Sequence, residues 1–137
     1  MSFVEVTFVK VDAMTVGVLL FAHGARDPRW ALPFEAVALR VREQAAHAQV
    51  RLSFLEFMTP SLIDAGSELA HFGCTEVRVV PLFLGSGGHV RKDLPLLMAQ
   101  LRQAHPQVQW TLTEAVGETP GVIHAMAEAA LASLLPS

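Results

Sequence analysis

Four short apolar runs, each followed by a stretch of helical period, leave this chain few folds other than a parallel α/β sheet. The runs lie at about residues 16–22, 50–57, 76–83 and 107–114 and are rich in Val, Leu and Phe. Runs of that length and composition suit strands buried on both faces. Between them, Phe34, Val37, Val41, Ala45 and Ala48 share one helical stripe. Leu62, Ala65, Leu69 and Phe72 make a second stripe, and Leu94, Leu97, Met98 and Leu101 a third. A fourth helix is expected over about 120–135, with Thr119 as N-cap and Pro120 at its first position. Thr59-Pro60 is expected to open the second helix in the same way. Strand and helix in strict alternation imply right-handed crossovers. The expected fold is therefore a three-layer α/β sandwich, a single flavodoxin-like lobe with a four-stranded, mainly parallel sheet and helices on both faces.

A length of 137 residues fits one domain, assigned here to residues 14–137. Residues 1–13 stand outside the pattern; Val4, Val6 and Phe8 alternate with polar residues, as an edge strand or a loosely packed extension would. With 52% hydrophobic and 17% charged residues the chain is expected to be ordered. A formal net charge of −3, without a basic run, gives no basis for nucleic-acid binding. Glu5, Lys10 and Asp12 interrupt the N-terminus, and the apolar stretch near residue 20 is too short to span a bilayer. The expectation is a cytoplasmic protein without a membrane partner. Cys74 is the single cysteine, so disulfides and a structural CxxC zinc site are excluded, and a buried, inert thiol is expected.

In such folds chemistry gathers at the carboxyl ends of the strands. The first run delivers His23-Gly24-Ala25-Arg26-Asp27-Pro28, the second places Glu56 near its end, and the third leads through Gly85-Ser86-Gly87-Gly88 to His89. Two imidazoles and one carboxylate on one rim suit Co2+, Ni2+, Fe2+ or Zn2+. Read singly, the same residues suit hydrogen-bonded loop histidines, a solvated Glu and a glycine turn with positive φ, and the residues alone leave both readings open. Other motifs fail: no Gly-Lys-Ser/Thr follows the glycine loop, no Gly-x-Ser-x-Gly elbow exists, and Ala22 stands where phosphohistidine enzymes need Arg. His47, His71, His105 and His124 fall in or at the ends of helical segments, as surface or capping residues.

Three stretches together carry a resemblance: His23 to Pro28, then Phe54-Leu55-Glu56 through Pro60-Ser61-Leu62, then Pro81-Leu82-Phe83-Leu84 through Gly88-His89-Val90-Arg91-Lys92-Asp93-Leu94-Pro95. Over about residues 16–135 the chain resembles the small CbiX-type sirohydrochlorin chelatases, of the class II chelatase family. The resemblance implies insertion of a divalent metal into a tetrapyrrole without ATP or an organic cofactor. By position, His23 and His89 match the paired histidines that bind the metal and assist proton removal, and Glu56 matches an acidic position beside them. The metal is a substrate, with Co2+ preferred over Fe2+ and Ni2+ because small CbiX-type proteins are associated with the cobalamin branch. Small members pair as homodimers, for which Leu131, Leu134 and Leu135 are candidate interface residues. Sirohydrochlorin is a polycarboxylate, so Arg26 and Arg91, with Arg29 and Lys92, are candidate substrate-binding cations, and Ser86, Gly87 and Gly88 candidate loop contacts. That loop departs from the bulkier apolar residues of many relatives, which alters the shape expected of the pocket. Two competing functions on the same fold are a non-catalytic metal or tetrapyrrole carrier and a nucleotide-binding flavodoxin-like domain held through Gly85 to Gly88.

Overall fold

The computed structural model describes residues 15–85 and 87–136; the expected edge strand at Val4, Val6 and Phe8 lies outside them. The described residues form four strands, β1 (Val16–Ala22), β2 (Ala48–Phe54), β3 (Glu76–Pro81) and β4 (Gln109–Leu112), and four α-helices, α1 (Leu32–Gln44), α2 (Leu62–Phe72), α3 (Gly88–Ala104) and α4 (Pro120–Ala132). Every strand pair is parallel, in the order β2-β1-β3-β4.

Alternation along the strands sends successive side chains to opposite faces. Leu19 and Phe21 of β1, with Val77 and Val79 of β3 and Trp110 of β4, meet Leu62, Ala65 and Leu69 of α2 and Met98 and Leu101 of α3 in the main core. Val18, Leu20, Val50 and Val80 point the other way, to Ala38 and Val41 of α1. Full burial of each large aliphatic side chain contributes roughly 1.5–3 kcal/mol, so the α2–α3 face holds most of the cohesion. The buried Ser53 hydroxyl donates to the Leu20 carbonyl at 2.9 Å, which ties β2 to β1 and leaves no polar group stranded.

Several boundaries differ from expectation for local reasons. The first helix ends at Gln44, and Ala48 opens β2 rather than completing a helical stripe. The second helix starts at Leu62, not at Thr59-Pro60: Ser61 is its N-cap, accepting from the Asp64 amide at 3.1 Å. Phe72, placed on that helix's core stripe by spacing, is exposed in its last residue. Thr119 holds the N-cap position of α4, but its hydroxyl donates to the Val116 carbonyl at 2.6 Å and caps nothing.

The two faces are unequally covered. Over β3 and β4 on the α1 side, Val80 and Leu82 are half-buried, while Arg78, Gln109 and Thr111 are exposed. No described helix is long and apolar enough to cross a membrane. Cys74 is 3% exposed against Gly17 and the α2 end of the core. Burial pushes its thiol above the ordinary range, with nearby Arg51 acting in the opposite direction. Ellman's reagent is therefore expected to leave Cys74 unlabelled in the native protein and to label it fully in denaturant; native labelling at the free-thiol rate would contradict this packing.

Candidate functional site at the strand ends

Order β2-β1-β3-β4 places a topological switch point between β1 and β3, since the chain leaves these neighbours in opposite directions. Crevices outside the carboxyl ends of the strands at such points are where open α/β sheets bind ligands. His23 is the first residue beyond β1, and α3 begins seven residues beyond β3 with His89 at its second position.

The β1–β2 ladder does not stop where the strands do. The Leu55 amide donates to the Ala22 carbonyl at 2.9 Å, and the Glu56 amide donates to the His23 carbonyl at 3.1 Å. These two bonds hold Glu56 beside His23, with His23 Nε2 3.9 Å from Glu56 Oε2. That separation is too long for a hydrogen bond. It is within the span of two bonds to one ion, at most about 4.3 Å end to end for a metal–nitrogen bond up to about 2.1 Å and a metal–oxygen bond up to about 2.2 Å. Both side chains are open to solvent, 48% and 41% exposed. Gly24 follows with φ +94°, and a Cβ there would run into the Glu56 carbonyl, so close approach and backbone conformation both demand glycine.

Phe57 then takes φ 67°, a left-handed conformation that is strained for a bulky residue. The guanidinium of Arg26 lies over the Phe57 ring, 4.5 Å from its centroid. The Thr59–Pro60 bond is cis, and the Phe54 amide donates to the Pro60 carbonyl at 2.9 Å, closing the loop. Arg29 has a different fate from Arg26. Its Nε and Nη2 both donate to the Asp27 carboxylate, at 3.2 and 2.8 Å. The Arg29 side chain, and then its backbone amide, hold the Asp27 carboxyl below its usual range, while Asp27 raises Arg29. Arg29 is thus already paired on this surface.

A cleft of about 460 Å³ opens beside His23, within the size range of small-molecule sites. Trp30, Phe34, Phe83 and Leu84 line it, together with the glycine loop at Gly85, Gly87 and Gly88. Trp30 and Phe34 pack ring to ring at 4.5 Å, and Phe83 meets the His23 imidazole edge-on at 5.9 Å. The far side of the glycine loop is anchored by Gly117, whose amide donates to the Phe83 carbonyl at 2.9 Å and whose missing Cβ leaves room for Leu84. A groove of similar volume, about 480 Å³, runs along the outer edge of β2 past Glu35, Arg42 and Arg51. It holds no imidazole and lies away from the switch point.

His23 and Glu56, both expected on the rim, are brought together. Gly87 and Gly88 line the cleft, Arg26 reaches Phe57, and Arg91 stands exposed in the first turn of α3. The Ser86 residue and the His89 side chain lie outside the description. Among the described residues no third His, Cys, Asp or Glu joins the pair. Trp30 and Phe34 were not expected at the site, although their i, i+4 spacing just after Asp27-Pro28 would have put both on one side of a helix entry. Asp27 caps the turn Pro28–Ala31 through the Arg29 amide at 2.9 Å, and that turn carries Trp30 to the cleft.

The fold and its rim define an α/β domain of flavodoxin-like order, with an exposed imidazole–carboxylate pair at the mouth of an apolar cleft. The CbiX family model matches residues 17–132, and the chain belongs to the CbiX family. A protein named sirohydrochlorin cobaltochelatase from Saccharolobus solfataricus is 31% identical over 110 residues, covering 74% of this chain and 83% of its own. Its namesake from Methanothermobacter thermautotrophicus is 35% identical over 83 residues, covering 61% of this chain and 57% of its own. Among solved structures, a protein from Marinobacter aquaeolei VT8 named only by assignment as a cobalamin (vitamin B12) biosynthesis CbiX protein superimposes with TM-score 0.76 at 32% identity, covering 87% of this chain and 97% of its own. The sirohydrochlorin chelatase SirB of Bacillus subtilis subspecies spizizenii, solved in complex with cobalt, shares the fold with TM-score 0.77 at 22% identity. The match covers 87% of this chain but 51% of SirB.

If Gly24 is needed for both its φ and its missing Cβ, Gly24→Ala is expected to destabilise the domain by about 2 kcal/mol or more. Denaturant melts check the loss. Wild-type stability in that variant would contradict the close approach of residue 24 to Glu56.

Proposed function

We propose that this chain inserts a divalent metal into sirohydrochlorin. The observation that carries the reading is the His23–Glu56 pair, 3.9 Å apart and half exposed at the mouth of an apolar cleft. Support also comes from the family match and from relatives named for this activity.

The reaction needs a metal shorn of part of its water, held over four pyrrole nitrogens, and a base for the pyrrole protons. A neutral imidazole both ligates borderline metals and accepts protons near neutral pH. In this reading His23 and His89 hold the incoming ion, one of them also takes a proton, and Glu56 steadies the partly hydrated metal. An open, incomplete ligand set suits an ion that must leave with the product. Trp30 and Phe34 offer one aromatic wall for the flat macrocycle. Arg26 and Arg91 grip its carboxylates, and Gly87 and Gly88, with Ser86, let the macrocycle approach the loop closely. No ATP or organic cofactor enters this scheme. Two copies pair as a homodimer, so that each cleft gains a second wall.

Cobalt is the preferred metal, on the names of the relatives and the cobalt complex of SirB. A second SirB structure holds Fe3+, which makes iron the next to test. Ligand softness does not separate the two strongly, so supply in the cell decides.

Incubation of the protein with sirohydrochlorin and Co2+, followed by absorbance, tests the assignment. His23→Ala and His89→Ala are each expected to lower the rate by about 100-fold or more with the thermal melt unchanged. Wild-type rates in the double variant would refute the proposed site. Tight binding of metal or macrocycle without turnover would instead identify a carrier. Trp30→Ala is expected to raise KM several-fold with kcat retained, as loss of a stacking wall requires; an unchanged KM would remove Trp30 from the substrate pocket.

A further inference from the structure

The groove along the outer edge of β2 is as large as the cleft at the strand ends, about 480 Å³ against about 460 Å³, and the reaction proposed above makes no use of it. One end of it is built by two cations that meet on a single oxygen. Arg42 Nη2 and Arg51 Nη1 both donate to the Val50 carbonyl, at 3.3 and 3.1 Å. Like charges brought that close repel unless an anion answers them. Arg51 has one in Glu68, which accepts from its Nε. Among the described residues, Arg42 has no carboxylate within ion-pair distance, and the Val50 carbonyl is its single hydrogen-bond acceptor.

The floor of the groove adds backbone donors and acceptors. β2 lies at the edge of the sheet, and residues of a parallel strand bond alternately to its two sides. The Leu55 amide bonds inward to Ala22 and the Phe54 amide outward to Pro60. Leu52, in phase with Phe54, therefore turns its N–H and carbonyl outward. Around it the lining is apolar, from Ala38, Phe54 and Pro60. Glu35 lines the other end, two turns before Arg42 on α1 and about 10 Å from it along the helix axis.

We propose that this groove is a second binding site, for a linear amino acid whose carboxylate and ammonium lie at opposite ends. The Arg42 and Arg51 forks take the carboxylate, Leu52 and Phe54 face the methylene chain, and Glu35 takes the ammonium. Charge placement sets the class. A dicarboxylate would bring its second charge against Glu35, and a diamine would bring one of its own against two guanidinium groups.

The inference does not depend on chelation, and its readout needs no activity. ε-Aminocaproate, whose extended chain spans roughly the interval from Arg42 to Glu35, is titrated into the isotope-labelled full chain while NMR follows the Leu52 amide. A saturable shift is expected. Arg42→Gln is expected to weaken binding by about tenfold or more, the loss of a charged hydrogen-bond partner. Caproate, which lacks the ammonium, is expected to bind about tenfold more weakly than ε-aminocaproate, and Glu35→Gln to abolish that preference. Arg42 and Glu35 are both exposed, so thermal melts of the variants are expected to match wild type. No saturable shift at Leu52, or one that Arg42→Gln leaves intact, would overturn the site and leave the two arginines as caps that keep other strands off the β2 edge. Equal affinity for caproate, or tighter binding of inorganic phosphate, would overturn the zwitterionic ligand.

Discussion

Two backbone hydrogen bonds set the chemistry of this rim. By carrying the β1–β2 ladder past the strand ends, the bonds from Leu55 to Ala22 and from Glu56 to His23 turn residues 33 apart in sequence into neighbours. They form only because Gly24 has no side chain where the Glu56 carbonyl passes. The left-handed turn at Phe57 then takes the chain out of the ladder and sets its ring beneath Arg26. The strain at Phe57 is held by the sheet on one side and by the Phe54–Pro60 bond on the other. A rigid sheet thereby positions a pair of side chains that is itself open to water, the combination that the proposed handling of a metal substrate calls for.

The strand–helix alternation, the parallel sheet and the strand centres were legible in the sequence because the apolar runs are short, β-branched and separated by helical stripes. The first strand, Val16–Ala22, coincides with its expected range. The second strand was placed about two residues late: Leu55-Glu56-Phe57 continues the apolar run, but the turn at Phe57 ends the strand at Phe54, and periodicity does not report φ. Helix entry at Ser61 rather than Thr59 turns on which hydroxyl reaches an amide, a distinction between two similar capping sequences. His23 and Glu56 were legible as strand-end residues, whereas Trp30 and Phe34 were hidden as ordinary members of an amphipathic helix entry. Their pocket-facing role depends on the Asp27 cap, which is a local hydrogen bond and leaves no periodic trace.

The cations near the site divide by their neighbours rather than by their charge. Arg29 is neutralised at its own loop by Asp27, with both its fork nitrogens engaged. Arg26 instead lies on an aromatic face, an interaction that fixes the guanidinium plane without consuming its hydrogen-bond donors. For a proposed polycarboxylate substrate, the second arrangement is the more useful of the two. It presents a held, still-unsatisfied fork on the same loop as His23.

The uneven cover of the sheet joins the site to the C-terminal helix. Leu82 belongs both to the half-open flank and to the cleft wall beside His23. The turn that launches α4 is itself pinned to the rim, through the Gly117 amide on the Phe83 carbonyl. The same Phe83 that the Gly117 amide holds by its carbonyl meets the His23 imidazole with its ring, so the launch of α4 and the rim share one residue. The cleft is lined by Trp30 and Phe34 together with Leu82, Phe83, Leu84 and the glycine loop, so its shape depends on the same short segment that anchors the turn before α4.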